Sequence, residues 1–198
     1  MHKLLLKIPT RLETERLVVR KYKKGDGQDL FALVERNNNR QFLWANIEEV
    51  ASLKTRMEAE IMVRNHEAEW VGRLRFVMGI WLKDENKCVG QIWIEPDKWD
   101  VPSFEIGWFV DRGYEGTGIA AESARRCLQF LFDNLKAHRV STIMRDTNPR
   151  SWKLAERLGF RREGHLRECR VESGVRYGLL RYGMLNTEFT GTVAAASD

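Results

Sequence analysis

Long apolar runs are missing from this chain. None approaches the roughly 20 residues that a membrane-spanning helix needs, so no span is expected. The opening Met1-His2-Lys3-Leu4-Leu5-Leu6-Lys7 has only three consecutive apolar residues, too few for the core of an export signal. Cysteine is scarce: Cys88, Cys127 and Cys169 are unclustered and odd in number. That excludes a disulfide framework and suits a reducing, cytoplasmic setting. The four histidines are scattered and fall into no metal-ligand spacing with the cysteines, so no metal is expected. A strong charge of one sign is also lacking. The net charge of +5 fits an anionic ligand or partner, but Lys and Arg alternate with Asp and Glu throughout. Nothing here argues for nucleic-acid binding. The basic runs 21–24 and 161–162 read as solvated faces.

What is present is enough for one ordinary domain. The chain has 198 residues, 43% of them hydrophobic and 31% charged. We expect a single domain over 1–186 and a loose tail over 187–198, where periodicity fades.

One stretch organises the rest. Phe104 to Val110 is apolar and aromatic, bounded by Pro102-Ser103 and Asp111-Arg112-Gly113, and predicts a strand. Ala120, Ala124, Cys127, Leu128, Leu131 and Leu135 recur at helical spacing and predict a helix. Between them lies Glu115-Gly116-Thr117-Gly118. A strand, a glycine turn and a helix start together make an anion site. The first helical amides have no internal partners, and glycines let the backbone curl close to an oxyanion. Residues 115–120 are therefore a candidate phosphate cradle. It is not a Walker loop, since no Gly-Lys-Ser/Thr follows. It is a poor dinucleotide fingerprint as well, since no acidic residue closes a strand about 20 residues on.

Elsewhere the pattern predicts a strand over 17–22 and a helix over 28–36 capped by Asp26. Residues 42–44 read as a connecting segment. A long helix is expected over 47–70, with Val50, Leu53, Met57, Ile61 and Met62 on one side. A hairpin follows over 75–82 and 88–94, with 96–100 joining it to the central strand. After the central helix come a strand over 140–145 and a helix started by Asn148-Pro149 and ended by Gly159. A last hairpin turns at Glu172-Ser173-Gly174. This order predicts an α+β fold, a mixed sheet flanked by helices.

Read together, these motifs resemble the GNAT acyltransferases, and within them the branch of ribosomal-protein serine/alanine N-terminal acetyltransferases (RimJ/RimL-like). The matching pieces run in order: Thr14-Glu15-Arg16-Leu17, Glu105-Ile106-Gly107-Trp108, Gly116-Thr117-Gly118-Ile119-Ala120, Asn148-Pro149-Arg150-Ser151, Ala155-Glu156-Arg157-Leu158-Gly159-Phe160 and Glu163-Gly164-His165-Leu166-Arg167. The resemblance implies a mostly antiparallel sheet with a splayed parallel pair, and acetyl-CoA as donor. It implies that the backbone of Trp108, Phe109 and Val110 pairs with the pantetheine arm. Gly116, Thr117, Gly118, Ile119 and Ala120 would hold the pyrophosphate, with Glu115 taking part through its backbone and its side chain turned away. Asn148 would contact the arm and Ser151 the sulfur. Many relatives place a tyrosine acid where this chain has Ala155, and an aspartate where it has Gly178.

Direct attack of an amine on the thioester needs no enzyme nucleophile, only a proton acceptor and stabilisation of the departing thiolate. Glu105, on the central strand, is the candidate base. The implied acceptor is a primary amine, foremost the α-amine of a ribosomal or other protein. A small amine (polyamine, antibiotic or toxin) and a non-catalytic CoA-binding module stand as alternatives. Relatives often dimerise, so a homodimer is possible.

Overall fold

In the computed structural model residues 2–44 and 47–191 are described. The chain divides into two compact units. One is built from the chain up to Glu95 with Trp108–Arg126, the other from Pro96–Gly107 with the chain from Cys127 onward.

The first unit carries four antiparallel strands in the order β1 (Arg11–Glu13), β2 (Leu17–Lys21), β3 (Phe76–Leu82) and β4 (Lys87–Lys98, to Glu95 in this unit). Its core gathers Val18, Tyr22, Leu30, Leu33, Val63, Val77, Trp81 and Phe109. The helix α1 (Gly27–Glu35) starts at Asp26, as the sequence suggests, but Asp26 does not cap it. Its carboxylate takes Arg20 and the Lys23 amide instead, and the Gly27 amide goes to Glu60. Gly27 is required there: a Cβ would lie 2.5 Å from the Glu60 backbone.

Residues 42–44 are helical, in α2 (Asn39–Trp44), after a turn in which Asn37 and Asn38 take left-handed backbone angles. The long helix expected over 47–70 is two helices, α3 (Glu48–Ala51) and α4 (Arg56–Gly72). Thr55 caps α4, its Oγ1 accepting from the Glu58 amide at 3.1 Å, while Glu58 accepts from the Lys54 amide. This Thr-x-x-Glu start is a capping-box signal in the sequence. It resets the helical phase. The inward face of α4 is Ala59, Val63, His66 and Trp70, and Met57 and Ile61 are 70% and 53% exposed.

The second unit orders its strands β5 (Ser103–Val110, to Gly107 here), β6 (Arg139–Arg145), β8 (Val175–Leu185) and β7 (Arg161–Glu172). The β5–β6 pair is parallel and the others antiparallel. Burial alternates strictly along β6. Val140, Thr142 and Met144, with Leu180, Tyr182 and Met184 of β8, are buried on the face shared with α6 (Pro149–Leu158). Tyr182 donates to Glu156 of that helix at 2.9 Å. The opposite face, with Ser141, Ile143, Arg145, Tyr177, Leu179 and Arg181, is half-buried to exposed. Residues 96–98, expected to be a connection, continue β4. The helix α5 (Ile119–Gln129) ends in a wider turn over Phe130–Asn134. Packing runs past 186, the expected boundary: Phe189 stacks on Phe132 at 4.9 Å and Glu188 pairs with Arg161. The rest of the expected tail, 192–198, lies outside the described residues.

Candidate active site

The cradle belongs to the first unit. β5 ends at Val110, a short 3-10 turn follows over Arg112–Tyr114, and α5 starts at Ile119. Gly116 and Gly118 both have left-handed backbone angles, φ +78° and +84°. At both, a β-carbon would strain the turn. Residues 115–118 are exposed, and nothing lies within 4 Å of the place a Gly116 Cβ would occupy. The turn is thus open at Gly116, just ahead of the first amides of α5, which have no helical partner. Thr117 spends its hydroxyl on the Tyr114 carbonyl at 2.7 Å. The carboxylate of Glu115 turns back toward Arg112, 3.9 Å away. The Arg112 guanidinium gives that charge a partner on its own turn. An open, glycine-lined start of an amphipathic helix fits a pyrophosphate.

Two clamps set this turn, and the sequence reading assigned a role to neither. Arg16, in the β1–β2 turn, donates to the Thr117 carbonyl at 3.1 Å and forks onto Glu122 of α5 at 2.8 and 2.6 Å. Thr14 donates to the same carboxylate. Burial pushes the Glu122 carboxyl up, but the bonds from Thr14 and Arg16 outweigh it and hold it below its ordinary value. The second clamp is Asp111, fully buried at the end of β5. It accepts from Asn37 at 2.8 Å, the Gly113 amide at 3.0 Å and Arg36 at 3.0 Å. Burial alone would raise its carboxyl; Asn37, the Gly113 amide, Asn39 and Arg36 together bring it below the usual range. The signals were Thr14-Glu15-Arg16 and an acid in the first turn of α5, but pairing them takes the fold.

The end of β5 has a definite polarity. The Asp111 amide donates to Val89 of β4, and a Cβ on Gly90 would lie 2.5 Å from the Phe109 carbonyl. Backbone groups two residues apart on a strand face the same neighbour. Phe109 and Asp111 therefore face β4, while the amides and carbonyls of Trp108 and Val110 face away from it. Phe109 is buried and stacked on Phe42 at 5.9 Å.

In the second unit Asn148 caps α6, its Oδ1 accepting from the Ser151 amide at 3.3 Å. The Nδ2 group is then the donor end of that side chain. Ser151 is half-buried in the first turn, and Ala155 is fully buried, one turn on. Glu105 is half-buried and stands opposite Ser141. The β5–β6 ladder ends at that pair, although β5 runs on to Val110 and β6 to Arg145. Gly178 is filled in by neighbours. Asp146 accepts from His165 Nε2 at 2.8 Å and from the Gly178 amide at 3.0 Å, and a Cβ on Gly178 would run into both side chains. The His165 bond, more than any other cause, holds Asp146 below its ordinary pKa. So a carboxylate from the end of β6 occupies the space beside Gly178. Among the described residues no three His, Cys, Asp or Glu side chains come together as metal ligands, and no helix is long and apolar enough to cross a membrane.

Comparison with known proteins gives one consistent picture. The family model described as an acetyltransferase (GNAT) domain matches residues 16–161. The N-acetyltransferase YnaD of Bacillus subtilis is 22% identical over 178 residues, covering 90% of this chain and 98% of its own. Among solved structures, the ribosomal-protein-S5-alanine acetyltransferase of Vibrio fischeri superposes with a TM-score of 0.79 at 19% identity, covering 92% of this chain and 100% of that one. RimL, the ribosomal L7/L12 α-N-protein acetyltransferase, in complex with coenzyme A, superposes with a TM-score of 0.78 at 18% identity, over 90% and 97%. At these identities the superpositions show a shared fold.

Proposed function

The chain belongs to the GNAT acetyltransferases, and from that premise we propose that this acetyl-CoA-dependent N-acetyltransferase modifies the α-amino group of a protein, in the manner of the ribosomal-protein enzymes it resembles in fold. The observation that carries the acceptor class is the sheet face bearing Glu105. Across β6 and β8 it runs from part-buried Ser141, Ile143 and Leu179 to exposed Arg181. Such a face suits a polypeptide end better than a small amine.

In this reading the amides of Gly116, Gly118, Ile119 and Ala120 hold the pyrophosphate; the Thr117 and Glu115 amides, which already donate to the Tyr114 and Arg112 carbonyls at 3.3 and 3.2 Å, shape the entrance. The outward backbone groups of Trp108 and Val110 pair with the pantetheine amides, and Phe109 anchors the strand between them. The Asn148 side-chain amide donates to the arm. Acetyl-CoA supplies an activated acyl carbon. Glu105 takes the proton lost by the attacking amine, through water, as the new C–N bond forms. The Ser151 hydroxyl donates to the sulfur as the C–S bond breaks. Cytoplasmic work fits the three cysteines, none of them in a disulfide.

The test is release of CoA thiol with acetyl-CoA and peptides that differ in their first residue. Turnover with free-amine peptides, and none with the same peptides blocked at the amine, is the expected result. Turnover with polyamines or aminoglycosides but no peptide would overturn the acceptor assignment and leave the acetyltransferase.

A further inference from the structure

The open face of the second unit has a charge pattern that the transfer chemistry does not use. Going outward from Glu105 it carries Ser141, Ile143 and Arg145 of β6, then Gly183, Arg181, Leu179 and Tyr177 of β8, by direct register. Two of its arginines are already engaged. Arg139 forks onto both oxygens of Glu163, and Arg145 forks onto Glu172 while lying 4.0 Å over the Tyr177 ring. Arg181 is different. It is exposed, opposite Ile143 on one side and Gly164 on the other. Glu163 feels its charge, but that carboxylate is already committed to Arg139. Beside it Leu166 is 45% exposed, next to half-buried Leu179.

We propose that this face is the acceptor-binding surface and that Arg181 selects acceptors with an acidic side chain at the third or fourth residue. The proposal rests on the reading of a protein α-amine as acceptor. The geometry sets the position. Arg181 lies two strands from Glu105 and two residues along, which at about 4.8 Å per strand and 3.4 Å per residue is about 12 Å between Cα atoms. An extended peptide covers about 3.4 Å per residue. With its amine at Glu105, a peptide lying across the strands brings its third or fourth side chain over Arg181. Ile143 lies under the backbone between, Leu179 and Leu166 border Arg181 on its far side, and a carboxylate gives the guanidinium a counter-charge. A lysine at the same place meets like charge.

The test uses the full chain, acetyl-CoA and three peptides alike except at positions three and four, which hold glutamate, glutamine or lysine. At low salt we expect kcat/KM to fall about fivefold from the glutamate to the lysine peptide, mostly through KM, as a solvent-exposed ion pair allows. Salt at several times the physiological level should shrink the ratio to below about twofold. Arg181→Glu should reverse the ranking, an outcome that general damage to the sheet cannot produce. Acetylation of all three peptides with the same ranking in wild type and Arg181→Glu would overturn the inference and leave the protein-acceptor reading standing. Acetylation of small amines and no peptide would remove both.

Discussion

The helices α5 and α6 begin in opposite ways. At α6 the chain closes the start: Asn148 takes the Ser151 amide, and Pro149 removes one of the donors that would need a partner. At α5 the residue before the helix is Gly118, which has no side chain with which to cap, and the hydroxyl of Thr117 is drawn off to Tyr114. The first acid of α5, Glu122, is likewise turned away, onto Arg16 and Thr14. Its start is therefore held from outside and left open at the tip. A closed start supports the fold; an open start can bind an anion, because the positive end of the helix dipole is not already answered. What makes the cradle is thus the withholding of a cap as much as the presence of glycine.

The largest effect should come from filling the open start. Gly118→Asp puts a β-carbon at φ +84°, 3.5 Å from the Arg16 guanidinium, and adds a carboxylate that competes with Thr117 and Glu122 for the clamp. Acetyl-CoA affinity, read by calorimetry, should fall by about 100-fold or more, since strain and like charge act on the same amides. The circular dichroism spectrum should stay folded. Affinity within about threefold of wild type would show that the diphosphate sits elsewhere. Arg16→Ala comes next. It keeps the glycines and releases the clamp, so the amides remain but are less fixed. A weakening of about tenfold is expected, because preorganisation and not contact is lost. Arg16→Lys should not restore it, since one ammonium cannot fork onto Glu122 and also reach the Thr117 carbonyl.

The two helix starts also explain what could be read from the residues alone. A glycine turn between a strand and a helix, and an Asn-Pro start, are local patterns with local causes, and both lie where the sequence placed them. The hairpins and the Gly159 cap were legible for the same reason, whereas the parallel pair followed only from the family resemblance. What was hidden depends on register and on distant partners. Arg16 meets Glu122 across 106 positions of sequence. Asp146 fills the space at Gly178 only because β6, β7 and β8 align as they do. The break in the helix over 47–70 had a local signal, Thr55 with Glu58, but the hydrophobic period of Val50, Leu53, Met57 and Ile61 runs straight through it. Two short stretches in different phase imitate one long one, and Met57 and Ile61 end up exposed.

The closed start should behave in the converse way. Asn148→Ala removes a cap and should cost about 1 kcal/mol of stability, measured by urea unfolding. Its effect on acetyl-CoA affinity should be smaller than that of Arg16→Ala. A larger loss of affinity than of stability would mean that the Asn148 amide does more for the ligand than for the helix. Asn148→Asp separates the two further: it keeps the cap acceptor and removes the Nδ2 donor, so stability should return while any contribution to the arm stays lost.

The smallest expected effect is one of pH, and it probes the buried end of β5 that leads into the open start. Asp111 has a carboxyl depressed in the folded state, because its hydrogen bonds outweigh its burial. A depressed carboxyl contributes stability that is present above its unfolded pKa, near 3.9, and is lost as pH falls through the lower folded value. Unfolding free energy should therefore be flat for this group from pH 7 to about pH 5 and decline below that. In Asp111→Asn the decline between pH 5 and 3 should be shallower than in wild type, even though the variant is less stable at pH 7. Because Asn37, Gly113 and Arg36 grip this carboxylate just before the 3-10 turn, its protonation should loosen the cradle first. The protection of the Gly113 amide, its exchange rate compared with that of an unfolded chain at the same pH, should fall with falling pH before the amides of β3 respond. Simultaneous loss of protection in both places would mean that Asp111 supports the whole unit and not the turn in particular.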